Sequence, residues 1–297
     1  MKPVSALRIV QNVFAELALN YPSALITATD TDTIQALSLL YSISRELRNL
    51  RCFPTQKKRY EFTLAGSNRL NLPVDYYSPI LSTHLNHNTS RRLNGPVPDY
   101  DFTVMSNLGI QQSNEYSYRI FGPFSNHYMT TGQFELYPAP PSSPDSVTYS
   151  FEYISSNLFY PALWLPSTAY TSGQYVFSEG NIYKCDTSGT SDSFFPPSGT
   201  SQNISDGTTR WDYQNMSYEA IIADTDISVF DGDIMIAGLK AKYLAHRSLP
   251  LAEKAEAEYQ RLLSRAKGRL EGSFVGSFSR QRISRRYQPE TPGGWSI

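Results

Sequence analysis

The segment Val147-Thr-Tyr-Ser-Phe-Glu-Tyr-Ile154 decides how the middle of this 297-residue chain is interpreted. Its aromatic residues Tyr149, Phe151 and Tyr153 alternate with polar residues, and this period of two is the pattern of a β-strand with one apolar face. A helix would need its apolar residues three or four positions apart. The pattern therefore predicts a strand and makes the centre of the chain a β-region.

Further short strands separated by turn residues are predicted upstream of this segment. Tyr60, Phe62 and Leu64 alternate with polar residues, and Ala65-Gly-Ser-Asn68 follows as a turn, so we predict a hairpin that returns through Leu70-Asn-Leu72. The remaining predicted strands are Phe102–Met105, Ser117–Ile120 and Gln133–Tyr137. The series indicates an antiparallel sandwich or barrel over residues 58–157.

Helical periodicity frames this β-region at both ends of the chain. Apolar residues recur every three or four positions over residues 3–20 and 31–50, and again over 233–247 and 251–268, so each range is predicted to be a helix. Asp30 or Asp32 is the expected cap of the second helix. The predicted class is therefore α+β, with a helical bundle built from the N- and C-terminal segments beside the β-domain.

Residues 161–217 differ in composition, because Ser, Thr, Gly, Asp and aromatic residues replace aliphatic ones. We predict a small all-β module inserted into the body. Its pattern of Trp, Tyr and Gly resembles small chitin- and cellulose-binding modules, in which a flat aromatic platform stacks on sugar rings, although Gln174 stands where those modules often carry Asp. By that resemblance Trp164, Tyr183 and Trp211 are candidate glycan contacts. The alternative is that they form the aromatic core that so small a module needs.

The overall charge excludes two classes of protein. The chain carries 26 Lys and Arg against 27 Asp and Glu, a formal net charge of −1. A uniformly basic DNA-coating protein and an acidic disordered protein are both excluded by this balance. The sequence shows no apolar run of membrane-spanning length and no signal-peptide core, so we expect a cytoplasmic protein that contacts no membrane. Two cysteines, Cys52 and Cys185, are too few for a disulfide framework.

Catalytic and metal-binding signatures are missing from the sequence, which contains no phosphate-binding Gly-rich loop, HExxH or GxSxG motif. His84 and His87 lie three residues apart in a polar stretch, and we interpret them as part of a surface loop because no third ligand is near. The carboxylates that crowd one later segment are Asp224, Asp226, Asp231 and Asp233. They could serve acid/base chemistry or Ca²⁺, but a cap by Asp231 or Asp233 on the following helix is favoured. We expect no enzyme activity, no metal and no cofactor.

The C-terminal residues 271–297 concentrate positive charge without a sustained apolar period. We predict an extended arm whose arginines and aromatic residues dock on an acidic partner surface, and the alternative is a solvated tail. The candidate docking residues are Arg280, Arg282, Arg285, Arg286, Tyr287 and Trp295.

Four segments in a fixed order resemble a known family. They are the helix Thr33–Arg48, the predicted hairpin from Tyr60 to Tyr77, the strand pair Phe134–Pro140 and Tyr149–Ile154, and Asp224-Thr-Asp226 before a helix. Together they resemble the head-to-tail adaptor of short-tailed bacteriophages and are similar to the tail tubular protein A group. The resemblance covers residues 1–160 and 218–270, which would form one adaptor body, and leaves out the insertion and the arm.

This resemblance implies a structural virion protein of the neck or tail, assembled in the host cytoplasm. The adaptor would form a homo-oligomeric ring, commonly of twelve copies, that binds the portal protein on one side and the tail nozzle protein on the other. Genomic DNA would pass non-specifically through its central channel, and a nearly neutral protein suits a conduit because it does not grip phosphates. A different class stays open: a carbohydrate-binding or glycan-processing tail-associated protein that uses the inserted module.

Overall fold

Helices from the two ends of the chain share one core beside a set of short antiparallel strands. In this computed structural model the described residues are 3–109, 116–122, 132–141 and 147–272. The helices are α1 (Ala6–Glu16), α2 (Thr31–Asn49), α3 (Asp99–Leu108), α4 (Gly232–His246) and α5 (Ala252–Gly272). The class is mixed α+β, as the sequence predicts.

Sixteen strands are formed by the described residues, and their ladders are all antiparallel. They are β1 (Lys57–Leu64), β2 (Arg69–Asn71), β3 (Tyr76–Pro79), β4 (Leu85–Asn86), β5 (Arg91–Arg92), β6 (Ser117–Phe121), β7 (Gln133–Tyr137), β8 (Val147–Ser155), β9 (Phe159–Tyr160), β10 (Ala169–Tyr170), β11 (Tyr175–Ser178), β12 (Asn181–Thr187), β13 (Gly189–Thr190), β14 (Ile204–Asp206), β15 (Thr209–Gln214) and β16 (Ile227–Ser228). None of the sheets in the described ranges closes into a barrel.

The predicted hairpin between residues 60–64 and 70–72 is wrong. β1 pairs along its whole length with β8, from Lys57 opposite Ile154 to Leu64 opposite Val147. β2 belongs to a different sheet with the order β2-β7-β6. The pairing of β1 with the distant β8 is favoured because it places the aromatic residues of two long strands side by side, with Phe62 opposite Tyr149.

The predicted strand over Phe102–Met105 is also wrong, because these residues lie in α3. The helix begins after Pro98, carries Asp99 and Asp101 in its first turn and ends at Gly109, whose φ is 64°. Acidic residues at the positive end of a helix and a left-handed glycine after it are standard boundary signals. These signals outweigh the short apolar run from which the strand was inferred.

The five-stranded sheet, in which β1, β3 and β4 pair with β8 and β5 pairs with β4, shares one aromatic core with the three-stranded sheet β2-β7-β6. β8 supplies this core with Tyr149, Phe151 and Tyr153, as predicted. Phe62 of β1 reaches Phe134 of β7 with ring centroids 5.5 Å apart, so the core joins both sheets. The buried residues of this core are Phe62, Leu64, Leu72, Leu93, Tyr118, Phe134, Leu136, Val147, Tyr149, Phe151 and Tyr153. Aromatic contacts of this kind add to the stability that area burial alone provides.

A second core is shared by α1, α2, α4 and α5. Phe14 of α1 meets Tyr243 of α4 at 5.7 Å between ring centroids. Gly238 allows the closest approach, since a Cβ atom there would lie only 2.9 Å from Tyr259 of α5. Helices that are far apart in sequence therefore depend on each other for burial.

The helix boundaries differ from the predicted ones for local reasons. α1 ends at Glu16 instead of residue 20, because Ala18 takes a left-handed conformation with φ 53° and the Leu19 N–H donates to the Phe14 carbonyl at 2.9 Å. Asp30 caps α2 by accepting from the Thr33 N–H at 2.8 Å, as predicted. α5 continues to Gly272, two residues into the predicted arm.

The inserted segment leaves and re-enters the body at one place. The Asn157 side chain accepts from the Tyr218 N–H at 2.7 Å, and the Leu158 N–H donates to the Tyr218 carbonyl at 3.2 Å. Just beyond, β9 pairs with β16. The two ends of the insertion are therefore hydrogen-bonded to each other, and we call residues 156–160 and 217–228 the junction.

Asp226 holds the junction together. Its buried carboxylate accepts from the Tyr218 hydroxyl at 2.7 Å and from the N–H groups of Ile222 at 2.6 Å and Ala223 at 2.9 Å. Its carbonyl accepts from the Ala6 N–H at 2.7 Å, which ties in the start of α1. Burial raises the pKa of this carboxyl above its ordinary value.

Arg48 attaches α2 to the β-region and to the junction. Its guanidinium donates to the Ser156 carbonyl at 3.1 Å and to Glu219 at 3.2 Å, and it lies 4.0 Å from the centroid of the Tyr77 ring. The side chain is almost fully buried, so these contacts replace the water that a guanidinium would otherwise bind.

Within the described residues of the insertion all regular structure is β, as predicted. A four-stranded sheet with the order β11-β12-β15-β14 and the pair β10-β13 make up the module. The module packs against the body: Phe177 stacks on Tyr160 with centroids 4.2 Å apart, and Ile182 is buried in the same core as the helices.

We expect Asp226→Ala to lower the free energy of unfolding by roughly 3 kcal/mol, because three donors that share one buried acceptor lose it together. Urea unfolding followed by circular dichroism measures this change. Asp101→Ala, which removes an exposed carboxylate from α3, is the matched control and should cost well under about 1 kcal/mol. Equal midpoints for the two variants would contradict the role assigned to Asp226.

Candidate functional site

The three aromatic residues predicted to contact glycans do not form an exposed platform. Tyr183 and Trp211 are fully buried in the core of the module, and Trp164 is partly buried against that core. The Tyr183 hydroxyl donates to the Gly199 carbonyl at 2.9 Å. The packing alternative is therefore confirmed for Tyr183 and Trp211, neither of which offers a ring face to a ligand.

Asp206 organises this end of the module. One of its carboxylate oxygens accepts from the indole N–H of Trp164 at 2.8 Å and of Trp211 at 2.7 Å, and the other accepts from the Asp192 N–H at 2.6 Å. Two tryptophans and one loop thus depend on a single buried carboxylate, and each indole donor that would be costly to bury alone is satisfied.

The exposed aromatic residues of the module are ones that the sequence reasoning missed. Phe194 and Phe195 are 79% and 76% exposed. The Asp192 carboxylate accepts from their N–H groups at 2.7 and 3.1 Å, and these bonds lower the pKa of Asp192. Because the predicted pattern was built on Trp and Tyr, two adjacent phenylalanines beside prolines carried no signal in it.

The clustered carboxylates are used for structure. Asp231 caps α4 by accepting from the Asp233 N–H at 3.1 Å, which confirms the capping interpretation. Asp224 accepts from the N–H groups of Leu25 at 2.8 Å and Ile26 at 2.9 Å, and so fixes the segment between α1 and α2. In the described ranges, no three His, Cys, Asp or Glu side chains come together in a way that could hold a metal ion.

His84 lies in the aromatic core, so its assignment to a surface loop is wrong. Its ring stacks on Tyr118 at 4.1 Å and on Phe151 at 5.1 Å between centroids, and its Nδ1 atom is 3.0 Å from the Tyr118 hydroxyl. Burial lowers its pKa to about 4. His87 instead contacts the Ser150 hydroxyl at 2.8 Å, so the two histidines do not share a site.

The predicted docking residues of the arm, from Arg280 to Trp295, lie outside the described residues. The part of the C-terminal charge that is described belongs to α5, whose second half exposes Arg261, Arg265 and Arg269. Positive charge at the C-terminal end of a helix is favoured by the helix dipole, so this distribution also has a purely local cause.

A cleft of about 620 Å³ separates the β-region from the inserted module. One wall comes from β1, β8 and the connection between β2 and β3, and the other from the β11–β12 turn and the end of β15. Its lining residues are Lys58, Tyr60, Asn71, Leu72, Pro73, Val74, Asp75, Tyr153, Asn157, Tyr160, Gly180, Asn181, Ile182, Tyr213, Gln214, Asn215 and Met216. Sequence reasoning missed this cleft because its residues come from separate segments with no local motif.

An ion pair between partly buried Lys58 and buried Asp75 belongs to the wall of this cleft. Lys58 Nζ lies 2.7 Å from an oxygen of Asp75, whose carboxylate also accepts from the hydroxyls of Tyr153 and Ser155, each at 2.7 Å. Burial alone would lower the pKa of Lys58, but Tyr160 and Asp75 raise it above its ordinary value. Burial alone would raise the pKa of Asp75, but Lys58 and the two hydroxyls keep it low. Both groups are therefore charged near neutral pH.

No protein-family model and no curated protein matches this sequence. None of the helices in the described part of the chain combines the length and apolar composition that a bilayer crossing requires.

The buried imidazole of His84 should make stability depend on pH. Between pH 6.5 and about 4 the unfolded chain binds a proton at His84 that the folded chain does not, so stability falls as the pH is lowered through this window. The loss at the acidic end is roughly 3 kcal/mol. Urea unfolding at several pH values should show a shallower fall for His84→Phe.

The matched control is His87→Phe, which removes a ring outside the aromatic core and should keep the steep fall of the unsubstituted protein. A His84→Phe variant with an unchanged pH profile would show that the imidazole of His84 is not the group responsible.

Asp206→Ala should loosen the module while the helices stay folded, because both indole donors and the Asp192 N–H lose their acceptor. We expect a local loss of roughly 3 kcal/mol and a red shift of tryptophan emission. Hydrogen exchange can locate the change in β10–β15. Asp186→Ala alters an exposed carboxylate of the same module and is the control. Increased exchange spread equally over α1–α5 would argue against a local role.

Proposed function

We propose that this protein is a head-to-tail adaptor of a short-tailed bacteriophage, a structural ring protein without enzyme activity that joins the portal to the tail nozzle. The observation that carries the proposal is the discontinuous body. Helices from both ends of the chain share one core beside an antiparallel β-region, and the insertion enters and leaves at one junction. This is the organisation that the family resemblance implies.

In this proposal α1, α2, α4 and α5 are the bundle that faces the portal and lines the channel. The sheets around Phe62 and Phe134 are the sandwich that contacts the nozzle, and the β-module lies outside the channel. The body would be residues 1–160 and 218–270, with the module at 161–217 and the arm at 271–297.

The surface has features that support assembly with other copies. A closed ring needs heterologous contacts, in which one face of a subunit fits a different face of its neighbour. Tyr21 and Tyr100 are 56% and 79% exposed, and tyrosines suit such contacts because they combine a large apolar ring with a hydroxyl. Six of the twelve largest fully buried side chains in the described ranges are also tyrosines, so the Tyr content serves the core as well as the surface.

Passage of DNA without tight binding fits the nearly balanced charge of −1. The exposed arginines of α5 point to the C-terminal end as the part that meets an acidic partner, and the arm continues from there. We therefore propose that residues 271–297 run along the portal ring in the assembled virion neck.

Mixing the full chain with its portal protein should give a ring of many subunits with a central hole, seen by negative-stain imaging and weighed by native mass spectrometry. Truncation after Gly272 should reduce incorporation at least tenfold, since the arm supplies the docking contacts. A full-length variant with Arg280, Arg282, Arg285 and Arg286 all changed to Ala separates the role of charge from that of length.

Incorporation of the truncated chain at the full-length level would exclude docking by the arm. A chain that stays monomeric beside the portal protein would exclude the adaptor function itself.

A further inference from the structure

The cleft between β1 and the inserted module has a lining suited to an uncharged ligand. Lys58 and Asp75 are the charged side chains among its lining residues, and they neutralise each other at 2.7 Å. A charged ligand would find no unpaired opposite charge among the lining side chains and would still lose its hydration. The electrostatics of the cleft therefore favour a neutral ligand.

The remaining polar groups are amides and phenols. Asn71, Asn181, Gln214 and Asn215 line the cleft, and each amide offers two N–H donors and a carbonyl acceptor. A hydroxyl group both donates and accepts hydrogen bonds, so it can bond to the N–H groups and to the carbonyl of an amide. A group that only donates or only accepts can use just one of them. This set of side chains favours a ligand rich in hydroxyl groups.

Two of these amides are already held in place. Asn181 donates to the Tyr183 hydroxyl at 3.2 Å, and Gln214 donates to the Asp212 carbonyl at 3.1 Å. No hydrogen bond from the described part of the chain reaches the side-chain oxygen of either amide. Groups that are oriented before binding lose little conformational entropy when a ligand arrives.

Tyrosine rings supply the apolar part of the lining. Tyr60, Tyr160 and Tyr213 are partly buried, one on each of β1, β9 and β15. Tyr160 is fixed by its stacking on Phe177, and Tyr60 by its contact with Phe62 at 5.6 Å between centroids. A ligand with apolar C–H faces between its hydroxyl groups would use rings and amides together.

We propose that this cleft binds a neutral oligosaccharide. The ligand class follows from a lining with no net charge, four amides of which two are held in place, and three partly buried tyrosines, in a volume of about 620 Å³ that falls in the usual range of ligand pockets. The site is separate from Trp164, Tyr183 and Trp211. It goes beyond the adaptor function and does not depend on it, since ring assembly and sugar binding are measured separately.

The test is titration of the full chain with cellotriose, maltotriose and triacetylchitotriose, followed by calorimetry and by saturation-transfer NMR. At least one of these neutral trisaccharides should bind. Asn181→Ala removes an oriented amide, and Asn215→Trp places a large side chain at an exposed position of the lining, so each should weaken binding at least tenfold. Circular dichroism checks that both variants fold.

Two control variants locate the effect. Asn107→Ala removes an exposed amide from α3, and Phe194→Ala removes an exposed ring of the module outside the cleft, and both should bind as the unsubstituted chain does. Loss of binding in Phe194→Ala with full binding in Asn215→Trp would move the site to the module surface and overturn the proposal.

An acidic trisaccharide and a peptide test whether the cleft prefers a ligand of another class. Trigalacturonate and a synthetic peptide of residues 273–297 should bind at least tenfold more weakly than the best neutral sugar. If none of the three neutral trisaccharides binds at millimolar concentration, or if the acidic sugar or the peptide is preferred, the assignment is overturned.

Discussion

The fold depends on closing the chain at the junction. A segment of more than fifty residues leaves after Asn157 and must return to the same place, and the bonds from Asn157 to Tyr218 and from Tyr218 to Asp226 make that return specific. Burying a carboxylate costs free energy unless hydrogen-bond donors surround it. The carboxylate of Asp226 therefore favours the one arrangement of this loop that brings its donors together. The start of α1 is tied to the same residue through the Ala6 N–H. The helical core and the β-region are thereby placed relative to each other.

The spacing of apolar residues predicted those helices and strands whose buried face is formed by residues close together in the sequence. α1, α2 and α5 each carry an apolar stripe, and the apolar residues of β8 alternate with polar ones from Val147 to Tyr153, so their types were readable from neighbouring residues. The pairing of β1 was not readable, because its partner is about ninety residues away and the nearby turn at Gly66 suggested a closer one. α3 was not predicted because it has no apolar stripe. The signals for this helix are the residues at its two ends.

The candidate site was less predictable from the sequence than the fold was. Trp211 and Tyr183 have the same residue types whether they bind sugar or fill a core, and only the fold of the module separates the two roles. His84 was misread for the same reason, since its polar neighbours in sequence are not its neighbours in space. The cleft brings together Lys58, Asp75 and Asn181 from separate parts of the chain, so no spacing along the sequence could reveal it.

The paired ends of the insertion also bear on how such a protein can change during evolution. Because residues 157 and 218 are already hydrogen-bonded to each other, a module of another size can be exchanged there by recombination with little movement of the body. The burial of Ile182 among the helices and the stacking of Phe177 on Tyr160 act against such an exchange. A newly acquired module would at first leave apolar surface of the body exposed, and its retention would then select for contacts that cover this surface.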